Sequence, residues 1–228
     1  MTSAGVQVVR NARARRLRLR VDAASGCVRL TLPPRASLKR ALAWVEEQRG
    51  WIERQQAAMP AARPFVPGAV LPIGGVDTIV DWSAERPRIV SLNGHDGLLV
   101  CGGPRDGVAR RIESWLKRHA LATLSRETAE YAARGAGVTV ARVAIGDPKG
   151  RWGSCAANGV IRYSWRLILA PVFVRRATVA HEVAHRVHMD HSPAFHAQVR
   201  ALLGEDPAVS RAWLRRHGAA LHWFGRDS

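Results

Sequence analysis

The sequence predicts a mixed α+β fold in two parts. Residues 1–104 form a small β-rich module with one helix. Residues 105–228 form a domain with a long helix, a β-hairpin and a helix bearing a His-Glu-x-x-His pattern. Three observations predict it. Leucines and valines alternate with arginines near the N-terminus, at the period of a half-buried strand. Asn158-Gly159 stands between two alternating segments, the strongest short-range signal of a hairpin. His181-Glu182-Val183-Ala184-His185 lies within an apolar pattern of helical spacing.

The elements follow in order. Leu17, Leu19 and Val21 alternate with Arg16, Arg18 and Arg20, and Val28, Leu30 and Leu32 with Arg29 and Thr31. Ser25-Gly26 is the turn between them, so the sheet has one apolar and one arginine face. From Ser37 to Met59 the pattern becomes helical, with Leu38, Leu42, Val45 and Ile52 on the apolar side. Pro60 to Pro67 reads as a Pro/Ala-rich linker. Short strands follow at 69–73, 76–82, 88–92 and 97–101, and a long helix runs from Asp106 to Ala133, burying Ile112, Trp115, Leu116 and Leu124. In the hairpin a two-residue loop pairs Ala157 with Val160, which sets Ser154 opposite Tyr163 and Trp152 opposite Trp165. The hairpin then leads through Leu169-Ala170-Pro171 into the His-bearing helix, and so lies against it.

On a helix, His181 and His185 are one turn apart on one face, and their imidazoles can share a metal ion. Glu182 stands beside the first of them, where its carboxylate can reach a metal-activated water without binding the metal. Pro171 suits a first helical turn, and Val172, Val179, Val183 and Val187 continue the apolar pattern. Ser192-Pro193 reads as the cap and first position of a second helix. The turn at Asp190–His191 can therefore swing His191 back as third ligand and leave the fourth position open. His188 and Glu205 are its rivals. His188 shares the face of His185 but is seven residues from His181, ~10 Å along the axis. Glu205 follows His185 by twenty residues, on a helix end capped by Gly204.

At 228 residues, 47% of them hydrophobic, the chain buries a substantial core. No apolar run approaches the ~20 residues that span a bilayer, and the N-terminus lacks a signal peptide's apolar stretch. A cytoplasmic location is expected. Cys27, Cys101 and Cys155 are far apart and odd in number, which speaks against a disulfide framework and against a cysteine metal site. The net charge is +17, and of the 35 basic residues three are Lys and 32 Arg. That balance favours acidic partners, nucleic acid among them, although an arginine-rich composition gives the same excess.

Four segments carry a family resemblance: Lys149-Gly150-Arg151-Trp152-Gly153-Ser154-Cys155, Trp165-Arg166-Leu167-Ile168-Leu169-Ala170-Pro171, His181-Glu182-Val183-Ala184-His185 and His191-Ser192-Pro193-Ala194-Phe195. Together they closely resemble the YgjP-like metallopeptidase family, relatives of the SprT-type zinc metallopeptidases. The likeness extends over nearly the whole chain, including Arg13, Arg15 and Arg16, Gly50-Trp51-Ile52 and Gly74. The resemblance implies a zincin-like metallopeptidase domain with one Zn2+ per chain, His181, His185 and His191 as ligands and Glu182 as the catalytic residue. One departure is His196, where relatives usually carry Trp; it is expected to alter the following helix or the cleft rim.

The expected reaction is Glu-assisted attack of zinc-bound water on a peptide bond in a protein or peptide substrate. Arg151, Tyr163 and His188 are candidate transition-state electrophiles. Arg151-Trp152-Gly153-Ser154 is a candidate edge for strand-like binding of the substrate, with Gly153 allowing close approach. Two other readings stay open at this level. One is a zinc-dependent hydrolase of nucleotides or other phosphorylated small molecules. The other is a non-enzymatic nucleic-acid-binding protein with a structural zinc. The sequence leaves the oligomeric state unknown.

Overall fold

The computed structural model describes residues 2–3, 5–94, 96–135 and 137–227. The chain forms two compact units, Met1–Ala61 and Ala62–Ser228. The first holds strands β1 (Thr2–Ser3), β2 (Val6–Arg10), β3 (Arg18–Val21) and β4 (Val28–Leu32) in the order β1-β2-β4-β3. β2 and β4 run parallel, β3 and β4 antiparallel. The alternation read in the sequence is real: Val28, Leu30 and Leu32 are buried while Arg29 is exposed. Helices α1 (Leu38–Glu47) and α2 (Arg49–Ala57) follow. Ser37 caps α1, its hydroxyl accepting from the Arg40 N–H at 3.4 Å, and Ala41 and Val45 complete a core with Leu30 and Leu32. The single expected helix is broken at Gln48, whose N–H is shared between the carbonyls of Trp44 and Val45. That tightened turn re-aims the chain just before Gly50, a weak helix former.

In the second unit, β5 (Val70–Ile73), β6 (Val76–Ser83), β7 (Val90–Asn93) and β8 (Leu98–Gly102) form a sheet in the order β5-β6-β8-β7. The long helix α3 (Val108–Arg134) follows. A second sheet joins β9 (Arg142–Gly146), β10 (Gly153–Cys155) and β11 (Val160–Ser164) in the order β10-β11-β9, which leaves β10 as an edge. Helices α4 (Val172–Ala184), α5 (Pro193–Leu203) and α6 (Ala208–Leu221) complete it. The expected boundary at 104/105 is displaced to 61/62 because β5, β6 and β8 share their core with α3. Leu71, Val80 and Leu99 are buried in one cluster with Ile112, Leu116 and Leu124. The Pro-rich stretch is only in part a linker. The Arg63 N–H donates to the Trp223 carbonyl at 2.9 Å, and Phe65 is buried.

The hairpin departs from its expected register by one residue. Ala156 donates to Val160, and Gly159 to Ala156, both at 2.9 Å, so the loop has three residues rather than two. Gly159 takes φ 83°, and the Asn158 side chain accepts from the Val160 N–H at 3.2 Å. This is a three-residue loop closed by a left-handed glycine; such a glycine suits a two-residue loop as well, and it is the bond from Gly159 to Ala156 that marks the longer one. Gly153 therefore faces Tyr163, Ser154 faces Arg162 and Cys155 faces Ile161. Since paired residues share a face, the slip brings Gly153 and Cys155, not Ser154, to the side of Ile161 and Tyr163. Beyond Ser164 the strand also ends early. Trp165–Leu169 is a buried 3-10 turn, begun by the Ser164 hydroxyl accepting from the Arg166 N–H.

Candidate metal centre

α4 buries Val174, Val179 and Val183 completely, and this anchors the face that carries His181 and His185. Their ring centroids are 5.0 Å apart, one helical turn. The helix unwinds after Ala184 in a tight turn in which Val187 and His188 both donate to the Ala184 carbonyl at 3.0 Å. The chain then reverses. The Asp190 carboxylate accepts from the Ser192 N–H, and the Ser192 hydroxyl from the Phe195 N–H, both at 3.3 Å, which starts α5 at Pro193. This corner brings His191 Nε2 to 3.4 Å from His181 Nε2. One donor atom from each of His181, His185 and His191 lies within 4.8 Å of the others. Two bonds of about 2.0–2.1 Å at a tetrahedral angle put their donors ~3.3 Å apart, which is the spacing of the His181–His191 pair, and the His185 donor is near enough for the three to close on one ion with a small adjustment.

The side-chain states suit ligation. Burial, helped by His185 and His191, lowers the His181 pKa to about 4, and burial also lowers that of His185. A neutral imidazole has the free lone pair that a metal needs. The Nδ1–H of His185 donates to the His188 carbonyl at 2.9 Å, which leaves Nε2 as the free donor. His188 thus acts here through its main chain, and its ring is not in the cluster; neither is Glu205, which is exposed. Phe195 is fully buried against all three rings, stacked on His185 at 4.4 Å and edge-on to His181 and His191 at 4.9 and 4.8 Å.

Glu182 is buried, at 5% exposure, with its carboxylate over the backbone of Gly153. A Cβ at 153 would overlap that carboxylate. The close approach that Gly153 permits is therefore made by Glu182. Burial pushes the Glu182 pKa up to about 7, with Arg151 pulling against it. Glu182 and His181 line a cleft of about 260 Å³ together with Arg151, Trp152, His196, Arg211 and Leu214. Trp152 stands on Gly218, where a Cβ would come within 2.8 Å of Cζ2, and against His222 at 5.2 Å. Of the other expected residues, Ser154 is half-buried and does not line this cleft. Tyr163 is enclosed in the core, its hydroxyl 3.1 Å from that of Thr128 and its pKa raised by burial.

The roles of Phe195, Arg211 and Gly218 are absent from the sequence reading. Only the first had a usable signal: the Ser192-Pro193 cap places Phe195 in the first turn of α5, beside the corner. His196 does line the cleft, as expected for the rim.

A mixed α+β domain that presents three imidazoles at one point beside a buried carboxylate has the make-up of a metal-dependent hydrolase. The chain belongs to the YgjP-like family: the model of the YgjP-like metallopeptidase domain matches residues 15–217. No curated protein and no solved structure matches the chain. No helix of the described residues is long and apolar enough to cross a membrane.

Proposed function

We propose that the protein is a zinc-dependent peptidase in which His181, His185 and His191 hold the ion and Glu182 is the general base and acid. The observation that supports this best is Glu182 itself. A carboxylate buried beside a three-imidazole cluster, with its pKa pushed up to about 7, can both accept and return a proton near neutral pH. Three neutral nitrogens with a further position open are the donor set of catalytic zinc. When bound, zinc supplies acidification of a water to a pKa of about 7 and polarisation of the scissile carbonyl.

The rest of the chemistry belongs to the chain. Glu182 takes the proton from the attacking water as its oxygen bonds to the carbonyl carbon. It then delivers that proton to the amide nitrogen as the C–N bond breaks, so the products are a carboxylic acid and an amine, which at neutral pH exchange the remaining proton to become carboxylate and ammonium. Arg151 is on the cleft wall, where a guanidinium can hold the developing negative charge. β10 is an edge strand, and a peptide can pair with its free backbone groups while one side chain enters the cleft against Trp152 and Leu214.

Glu182→Gln keeps the shape and removes the base. The variant should retain about one zinc per chain and lose peptidase activity by a factor of ~10²–10⁴. Full activity with zinc in place would end this reading.

A further inference from the structure

A second group of cations is independent of the His centre. Arg88, Arg110, Arg111 and Arg118 line a groove of about 390 Å³ with Ser114 and Ile89, between the approach to β7 and the first half of α3. No carboxylate lines it, and among the described residues none of the four arginines forms an ion pair. Elsewhere the contrast is clear: Arg86, Arg166 and Arg175 each hold a carboxylate.

The groove is built, not merely charged. Arg111 is tied down by donating from Nη1 to the Asp106 carbonyl at 3.1 Å and from Nη2 to the Pro104 carbonyl. Its Nε is buried with no partner. The aliphatic stem of Arg88 lies directly on Gly103, where φ is 88° and a Cβ would collide with it. Arg110, Ser114 and Arg118 are spaced four apart, so they share one face of α3 over ~12 Å. Four guanidinium groups gathered on one groove repel one another, and nothing of opposite charge in the lining offsets it.

We propose that this groove binds a ligand carrying two or more phosphate groups. The guanidinium fork matches phosphate oxygens two at a time, and the Ser114 hydroxyl can donate to a further oxygen. A row of cations ~12 Å long suits repeated charges better than a single anion. Free oligophosphate and the backbone of a single-stranded nucleic acid present the same chemistry.

The test uses fluorescence anisotropy with a labelled oligothymidylate of about ten nucleotides, and inorganic tripolyphosphate as competitor. Wild type is compared with Arg110→Ser/Arg118→Ser, with Arg88→Ser, and with a control, Arg18→Ser/Arg20→Ser, on the N-terminal sheet. Arg88, Arg110 and Arg118 are exposed, and unchanged melting temperatures check the fold. The double groove variant should bind about tenfold more weakly at low salt. Its slope of log affinity against log salt should fall by ~1.4, two contacts at ~0.7 each. The control should change less. Displacement by tripolyphosphate identifies free oligophosphate as a ligand; binding of the oligonucleotide that tripolyphosphate does not displace identifies the backbone. Binding of neither probe, groove variants that bind as wild type, or an equal loss in the control would overturn the proposal.

Discussion

Glu182 and Gly153 act as one unit, because the carboxylate occupies the space a Cβ at 153 would fill. Gly153→Ala must move the carboxylate, and because the atoms in the way are all in the Glu182 side chain, its rotation can make room while the backbone of α4 that carries His181 stays in place. A shift on the order of 1 Å at a catalytic group can cost ~10²-fold. The variant should therefore keep its zinc and show kcat/KM lower by about that factor. Zinc content and peptide hydrolysis measured on one preparation decide it, and unchanged kcat/KM would mean that Glu182 does not act from this position. Phe195 has a different duty. It fills the space beneath the three rings and is fully buried, so Phe195→Ala should cost about 3–5 kcal/mol in urea unfolding of the metal-free protein. It should weaken zinc binding as well, since the rings lose the surface that orients them. A variant with wild-type stability would show that the rings do not depend on this packing.

Among the elements, α3 and α4 are tied by Arg175, which donates from Nε and Nη2 to both oxygens of Glu127 at 2.8–3.2 Å with both side chains buried. Removing one partner strands a buried charge. Arg175→Ala or Glu127→Ala should each cost about 3–5 kcal/mol, whereas Arg175→Met/Glu127→Leu should recover most of that. Additive single effects in the double variant would refute the pairing. The same scale separates what the sequence made legible from what it did not. The convergence of His181, His185 and His191 was readable because it follows from a helical repeat and a Ser-Pro cap, both local. The hairpin slipped by one residue because Asn158-Gly159 suits either loop length, and only the closing bond from Gly159 to Ala156 selects three residues. That slip hid the contact between Gly153 and Glu182. The break at Gln48 and the boundary at 61/62 were out of reach for a further reason: both depend on how strands and helices pack, which no periodicity reports.

For the molecule as a whole, acidity acts through two channels that salt can separate. The net charge of +17 grows as the nine His protonate, and self-repulsion then weakens the compact state. His222 adds a specific contribution. It is buried between Trp152 and the Arg166–Asp147 pair, and Arg166 also donates to the carbonyls of Leu221 and Phe224 at 2.8 and 2.9 Å. Burial, helped by Arg166 and opposed by Asp147, lowers its pKa to about 4. An unfolded His titrates near 6.5. Between these values the unfolded chain binds a proton that the folded chain does not. The contribution of His222 is therefore complete above about pH 6.5 and is lost progressively as pH falls towards 4. Between pH 7 and 5 this amounts to an acid sensitivity on the order of 1 kcal/mol. His222→Gln should flatten the dependence of unfolding free energy on pH by that amount, whatever it does to stability at neutral pH. Salt at about 0.5 M should shrink the self-repulsion of the surface and leave the His222 difference standing, because a buried group is screened little. Parallel pH profiles for wild type and variant, at any salt, would show that His222 titrates in the folded protein as it does in the unfolded chain, and would refute its lowered pKa.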